Sequence, residues 1–260
     1  MKIYRLYLLL IIVLFLTYTI FGGNVHRVVT NDSLAAPSLE HILGTDDLGM
    51  DIFAQLCHGG GYSILLGGLS ALFAVVLGTM VGVSSGYFGG ALDRVLMAIC
   101  DIITGMPQMI LLILFGAFLG ASYFSMVLVL ALLSWTQIAR MVRSRVIFIK
   151  NQNYMTYSNL FGTSFMTILL KHFYPALREL LSLSFIKIMS RSIVMEASLA
   201  YLGLGDPTSK SWGMMLNRAM AFPGIYFTPF WKWWVLSPLV ALMGLILSLM
   251  ILSKEFEVVK

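Results

Sequence analysis

Three ionisable residues sit inside long apolar runs of this sequence, and they are the first candidates for chemistry: Asp101, Lys187 and Arg191. A charge surrounded by lipid costs about 3 kcal/mol or more, so such a residue faces a partner of opposite sign or a hydrated path. Lys187 and Arg191 are four apart and share one helix face, whereas Glu196, nine beyond Lys187, falls on the other. The expectation is an ion pair between Asp101 and one of these two cations, across neighbouring helices. His26, His41 and His58 invite a metal, but separations of 15 and 17 residues match no local ligand motif. They read as scattered loop histidines, with no metal site. Cys57 and Cys100 are far apart and form no CxxC redox pair. The sequence contains neither an HExxH cluster nor a GxxxxGK[ST] phosphate loop. No catalytic set is therefore expected, and energy from a nucleotide must reach the chain from outside.

The elements that position these residues follow from composition. The 260 residues are 59% hydrophobic and 11% charged, against about 25% charged in an ordinary soluble domain. Such a chain cannot cover its surface with polar groups in water, and long unbroken apolar runs select membrane helices over a barrel. Six spans are expected, at about 3–21, 63–86, 95–119, 122–140, 180–202 and 232–253. The first reads as an uncleaved helix, because no small-x-small cleavage site closes the run that follows Lys2 and Arg5. Arg94, Arg140, Arg143, Arg145, Lys150, Lys171, Arg178 and Lys254 gather on one side of this arrangement; Arg27, Lys210, Arg218 and Lys232 lie on the other. The bias sets both termini in the cytoplasm, and it accounts for the net charge of +5 without nucleic acid as a partner. The chain divides into a first helix with an extracytoplasmic segment (1–62), a five-helix core (63–253) with a cytoplasmic loop at about 140–179, and a short tail (254–260).

Two features refine the reading. Gly78, Gly82 and Gly86 stand four apart in the second span, lining one face where a neighbouring backbone can approach closely. Pro107, following Gly105 and Met106, is expected to kink the third span. The loop between the fourth and fifth spans is more telling. Asn151 or Asn153 can cap a short helix that Gly162 ends in a left-handed conformation; Thr163 or Ser164 can cap a second, which Pro175 closes after His172. A merely solvated loop has no need of Met155, Tyr157, Leu160 and Phe161. Two short helices bearing aromatics make a docking knob for a soluble protein.

The segment with Gly162, His172 and Pro175 resembles the cytoplasmic coupling motif of bacterial ABC importer permeases. Gly44-Thr45-Asp46-Asp47-Leu48-Gly49-Met50-Asp51 is similar to the GTDxLGRD signature of one branch. Glu196 through Gly203 and Gly205, followed by Ser211-Trp212-Gly213, is similar to its EASLSFLGLG…SWG segment, and Ser85-Gly86-Tyr87-Phe88-Gly89-Gly90 with Asp93 fits as well. Together they resemble the "C" permease of the dipeptide, oligopeptide and nickel importer family, over about residues 38–245.

That resemblance implies an all-α type I permease fold and an importer built from two different permeases, two ATPases that hold ATP and magnesium, and an extracytoplasmic binding protein, all at the bacterial inner membrane. It places ATPase contact at Tyr154, Thr156, Tyr157, Ser158, Asn159, Gly162, His172 and Pro175. The chain departs from the pattern in three places: Thr156-Tyr157-Ser158 replaces Glu-Ala-Ala, Met50 replaces an arginine, and a terminal Gly-Asp is missing. The relaxed coupling motif and the Arg140–Arg145 run lean toward the nickel-type members. A self-sufficient secondary transporter or channel is the alternative, but it calls for inverted repeats and a discontinuous helix at an ion site, and neither is seen.

Overall fold

The computed structural model describes residues 28–29, 32–120, 122–160 and 162–258, so the expected first span, 3–21, lies outside the described residues. Helix α1, Ile52–Phe88, begins well before the expected position 63. Asp51 caps it, its carboxylate accepting from the Ala54 amide at 2.7 Å, and no proline interrupts the run to Gly89. Gly89 closes it with φ 66°.

The third expected span is two helices, α2 (Gly90–Gly105) and α3 (Gln108–Leu119), bent by 90°. The sequence called for a kink, and the structure has a break. Proline forces the residue before it out of the helical region, and Met106 accordingly takes φ −92° and ψ 140°.

Helix α4, Tyr123–Lys150, starts at a capping box between Ser122 and Ser125. It runs ten residues past the expected end at 140, because no glycine or proline stops it, so Arg140, Arg143 and Arg145 are helical rather than in a loop. Helix α5, Asn153–Leu160, follows, and Gly162 takes the expected left-handed φ of 69°. Ser164 caps a single turn, Phe165–Ile168, which widens into a π turn at Leu169–Phe173 and continues as α6, Tyr174–Tyr201. Pro175 therefore lies in the first turn of α6, directly after the π turn, instead of closing the preceding helix. Helix α7, Trp212–Ala221, and the turns at Ile225–Phe227 and Trp231–Trp234 lead into α8, Leu236–Val258.

Among the described residues, three helical stretches are long and apolar enough to cross a membrane, or four if the bent pair α2–α3 counts as one span. Helix α6 has the length but carries Lys187, Arg191 and Glu196. The fold is helical, with only two isolated bridges, Val29–Met50 and Thr45–Asp51, among the described residues.

Helices α1 and α4 make the central pair, and the glycine series is their seam. A Cβ on Gly78 would lie 2.7 Å from the Ile138 Cβ, one on Gly82 2.6 Å from the Ala139 carbonyl oxygen, and one on Gly86 3.0 Å from the Arg143 carbonyl oxygen. The close approach is thus within the chain, where Ile138, Ala139, Val142 and Val146 are buried against it.

Candidate functional site

The signature segments, far apart in sequence, meet where α1 begins, α6 ends and α7 begins. Asp46 organises the first: its Oδ1 accepts from the amides of Leu48 (3.0 Å) and Met50 (2.8 Å), and its Oδ2 from Gln55 Nε2 (2.8 Å). Thr45 Oγ1 accepts from the Ala35 amide and donates to the Asp32 carbonyl. Gly44 and Gly49 both take φ 74°, which closes the turns around this carboxylate. Burial, and then the neighbouring Asp46 carboxylate, raise the Asp47 carboxyl above its ordinary range. His41 Nδ1 lies 2.8 Å from Asp51 Oδ2, so this histidine is engaged by the cap of α1.

The second segment closes over the first. Glu196 is 3% exposed and accepts from Ser63 at 3.5 Å and from Ser211. Trp212 donates its indole N–H to the Leu56 carbonyl at 2.9 Å, and Lys210 Nζ lies 3.1 Å from Met50 Sδ. A Cβ on Gly213 would sit 2.7 Å from the Ala197 Cα, and one on Gly205 2.8 Å from Ala200. Gly203 takes φ 78° as the chain leaves α6. These residues form a lock that joins three helix ends. It is packed and hydrogen-bonded throughout, which suits structure rather than ligand capture.

The opposite end of these helices, expected to be cytoplasmic, is held by a second lock. Arg143 embraces Asp93 with both arms of its guanidinium, Nε to Oδ1 at 2.5 Å and Nη2 to Oδ2 at 2.6 Å, while Ser85 Oγ donates to the same carboxylate. Lys150 Nζ donates to the Tyr87 carbonyl at 2.6 Å. The Tyr87 ring packs on Phe165 (4.9 Å between centroids) and Phe173 (6.0 Å), and Phe88 on Phe165 (5.6 Å). Helix α5 is attached to this platform by buried Met155 and by Tyr154, whose ring lies 5.5 Å from that of His172. Met155 thus faces inward, while Tyr154 is 47% exposed. Ser158 is half-buried; the side chains of Thr156, Tyr157 and Asn159 lie outside the described residues.

Fifty residues separate Asp93 from Arg143, and no local spacing marks them as partners. A bidentate, charge-assisted pair is worth about 2 kcal/mol. Arg143→Ala is expected to lower the thermal unfolding midpoint of the purified chain, and Asp93→Ala combined with it to cost little more than either alone. Additive losses in that double-mutant cycle would mean that the two side chains do not interact.

The expected pairing of Asp101 with Lys187 or Arg191 is not what the structure shows. Asp101 Oδ1 accepts from Arg140 at 2.7 Å, because α2 lies antiparallel beside α4. Lys187 and Arg191 instead line a cleft between α6 and α8 with Ser190, Leu249, Met250 and Ser253.

The model of the family described as "Binding-protein-dependent transport system inner membrane component" matches residues 74–257. The chain is 34% identical over 230 residues to the oligopeptide transport system permease protein OppC of Bacillus subtilis, covering 86% of this chain and 74% of that one. It is 35% identical over 184 residues to the glutathione transport system permease protein GsiD of Pectobacterium atrosepticum, covering 70% of this chain and 61% of that one. It thus spans about three-fifths of the length of that glutathione permease. A chain of the MetNI methionine ABC transporter in an inward-facing conformation superposes with a TM-score of 0.63 at 19% identity, covering 80% of this chain and 98% of that chain. At that identity the likeness shows a shared fold.

Proposed function

Because the chain belongs to the family of binding-protein-dependent transport system inner membrane components, we propose that it carries short peptides through an ATP-driven importer. It is a multi-pass permease of the bacterial inner membrane, and its relatives are permeases rather than enzymes. The observation that carries the peptide reading is the 34% identity to an oligopeptide permease over 86% of the chain. Glutathione, named for a second relative, is itself a small peptide. Nickel has less support: His41, one of the three histidines that invited it, is taken up by Asp51.

In this reading the chain is half of a translocation path, with six spans that include 3–21 and both termini in the cytoplasm. A second permease completes the path, a binding protein delivers substrate from outside, and two ATPases bind ATP and magnesium. Helix α5 with the turn after it is the ATPase contact, through Tyr154, Thr156, Tyr157, Ser158, Asn159 and Gly162, with His172 and Pro175 fixing its base. The Tyr154–His172 contact supports this placement by seating α5 on the turn that follows it, which Tyr87 joins to α1, while the Arg143–Asp93 pair joins α2 to α4 close by.

Cells lacking this gene are expected to lose uptake of radiolabelled dipeptide and to keep nickel uptake. Loss of nickel with dipeptide uptake intact would reverse the substrate assignment. Dipeptide uptake that survives ATP depletion would favour a secondary transporter.

A further inference from the structure

A row of polar contacts joins α2 and α3 to α4 inside the part of the chain that lies within the bilayer. Asp101 Oδ1 accepts from Arg140 at 2.7 Å, Thr104 Oγ1 donates to Thr136 Oγ1 at 3.2 Å, and Gln108 Nε2 donates to the Leu133 carbonyl at 3.2 Å. Thr136 is the fourteenth of the 28 residues of α4. The break at Met106–Pro107 therefore sits near mid-membrane, and Arg140 stands one helical turn, about 6 Å, toward the cytoplasm.

Thr136 and Leu133 are buried, but the rest of the described chain leaves the Asp101 and Thr104 edge of this row open. The Asp101 side chain is 72% exposed and that of Arg140 41%. Thr104, Gly105, Met106 and Pro107 are all exposed, and a Cβ on Gly105 would meet nothing within 4 Å. Pro107 gives the first amides of α3 no side-chain acceptor. Acyl chains cannot cover such a surface, because irregular backbone and paired charges at that depth are stable only against protein or water. A dry protein lid would have to strip the pair of solvent without recovering the cost, whereas water satisfies both the charges and the open backbone groups.

We propose that Asp101 and Arg140 form a charged station on a water-filled path, with the Arg140 guanidinium facing the carboxylate and Asp101 facing the ammonium of a peptide in transit. The proposal rests on the permease reading above. A planar guanidinium presents paired donors to a carboxylate, and one fixed pair of opposite signs suits a zwitterion better than a bare cation.

The test uses the complete importer in proteoliposomes, with Cys57→Ala and Cys100→Ala removing the native thiols. Thr104→Cys is exposed to membrane-impermeant methanethiosulfonates, one anionic and one cationic; Val240→Cys, on the outward apolar face of α8, is the control. Cys at 104 is expected to react at least ten-fold faster than Cys at 240. Arg140→Gln should lower the ratio of anionic to cationic reagent rates at least two-fold and Asp101→Asn should raise it, as expected for removing one charge within a few ångströms in water. Equal slow rates at 104 and 240 would overturn the water-filled path, and an unmoved ratio would overturn the charged station. ATP-driven dipeptide uptake measured in the same vesicles reports on the permease reading separately. Its failure with normal labelling would leave the path standing and remove the cargo.

Discussion

Removal of Asn153–Gly162 is expected to abolish co-purification of the ATPases, and ATP-driven uptake with it, while the chain still inserts into the membrane. The separation follows from where these residues pack. Among the described side chains of helix α5 only Met155 is buried in the core, and Tyr154 rests on His172, which lies outside the deletion, as do Tyr87, Phe165 and Phe173. The apolar stretches that drive insertion, in α1, α4 and α8, are untouched. Blue-native electrophoresis of the assembled importer, with protease mapping of the inserted chain, reads the two outcomes independently. ATPases that remain bound after the deletion would refute the docking role of α5.

Gly82→Leu is expected to stop the chain from accumulating. Position 82 faces α4 where a Cβ would already lie 2.6 Å from the Ala139 carbonyl oxygen and 2.8 Å from the Val142 Cβ. Both are backbone or branched groups of a buried helix that cannot rotate away, so α1 and α4 must move apart along the whole seam. Overpacking of this kind costs about 3 kcal/mol, and the loss of Gly78 and Gly86 contacts along the same face adds to it. Gly68 is the control: a Cβ there meets nothing within 4 Å, and Gly68→Ala should leave the chain intact. Fluorescence-detected size exclusion of tagged variants distinguishes them. Equal monodisperse peaks from the two variants would mean that the seam is not required.

What could be read in the sequence divides along a physical line. Glycine spacing, the left-handed turn at Gly162 and the serine cap at Ser164 are local properties, fixed by backbone sterics and by hydrogen bonds a few residues long, and the structure reproduces them. The same local logic misread Pro175. A proline usually ends a helix that precedes it, but here a π turn at Leu169–Phe173 carries the helical run past Pro175. Hydropathy falls at Arg140 and so places the end of α4 too early, although a helix continues past an apolar stretch when its charges find partners, as Arg143 and Lys150 do. The partner of Asp101 was beyond reach for a different reason. Three cations were available in neighbouring runs, and only the antiparallel placement of α2 on α4 decides among them. The signature residues were recognisable as a set, but their convergence on one lock depends on contacts more than a hundred residues long, such as Trp212 to Leu56 and Glu196 to Ser63.

Because α4 is unbroken from Tyr123 to Lys150, it acts as a beam with no joint between its middle and its Lys150 end. Its length is about 42 Å, so a ten-degree tilt about its centre displaces the tip at Lys150 by roughly 4 Å. A load applied at that tip cannot be absorbed along the way; it must reappear at Thr136 and Arg140, beside the severed backbone of α2 and α3.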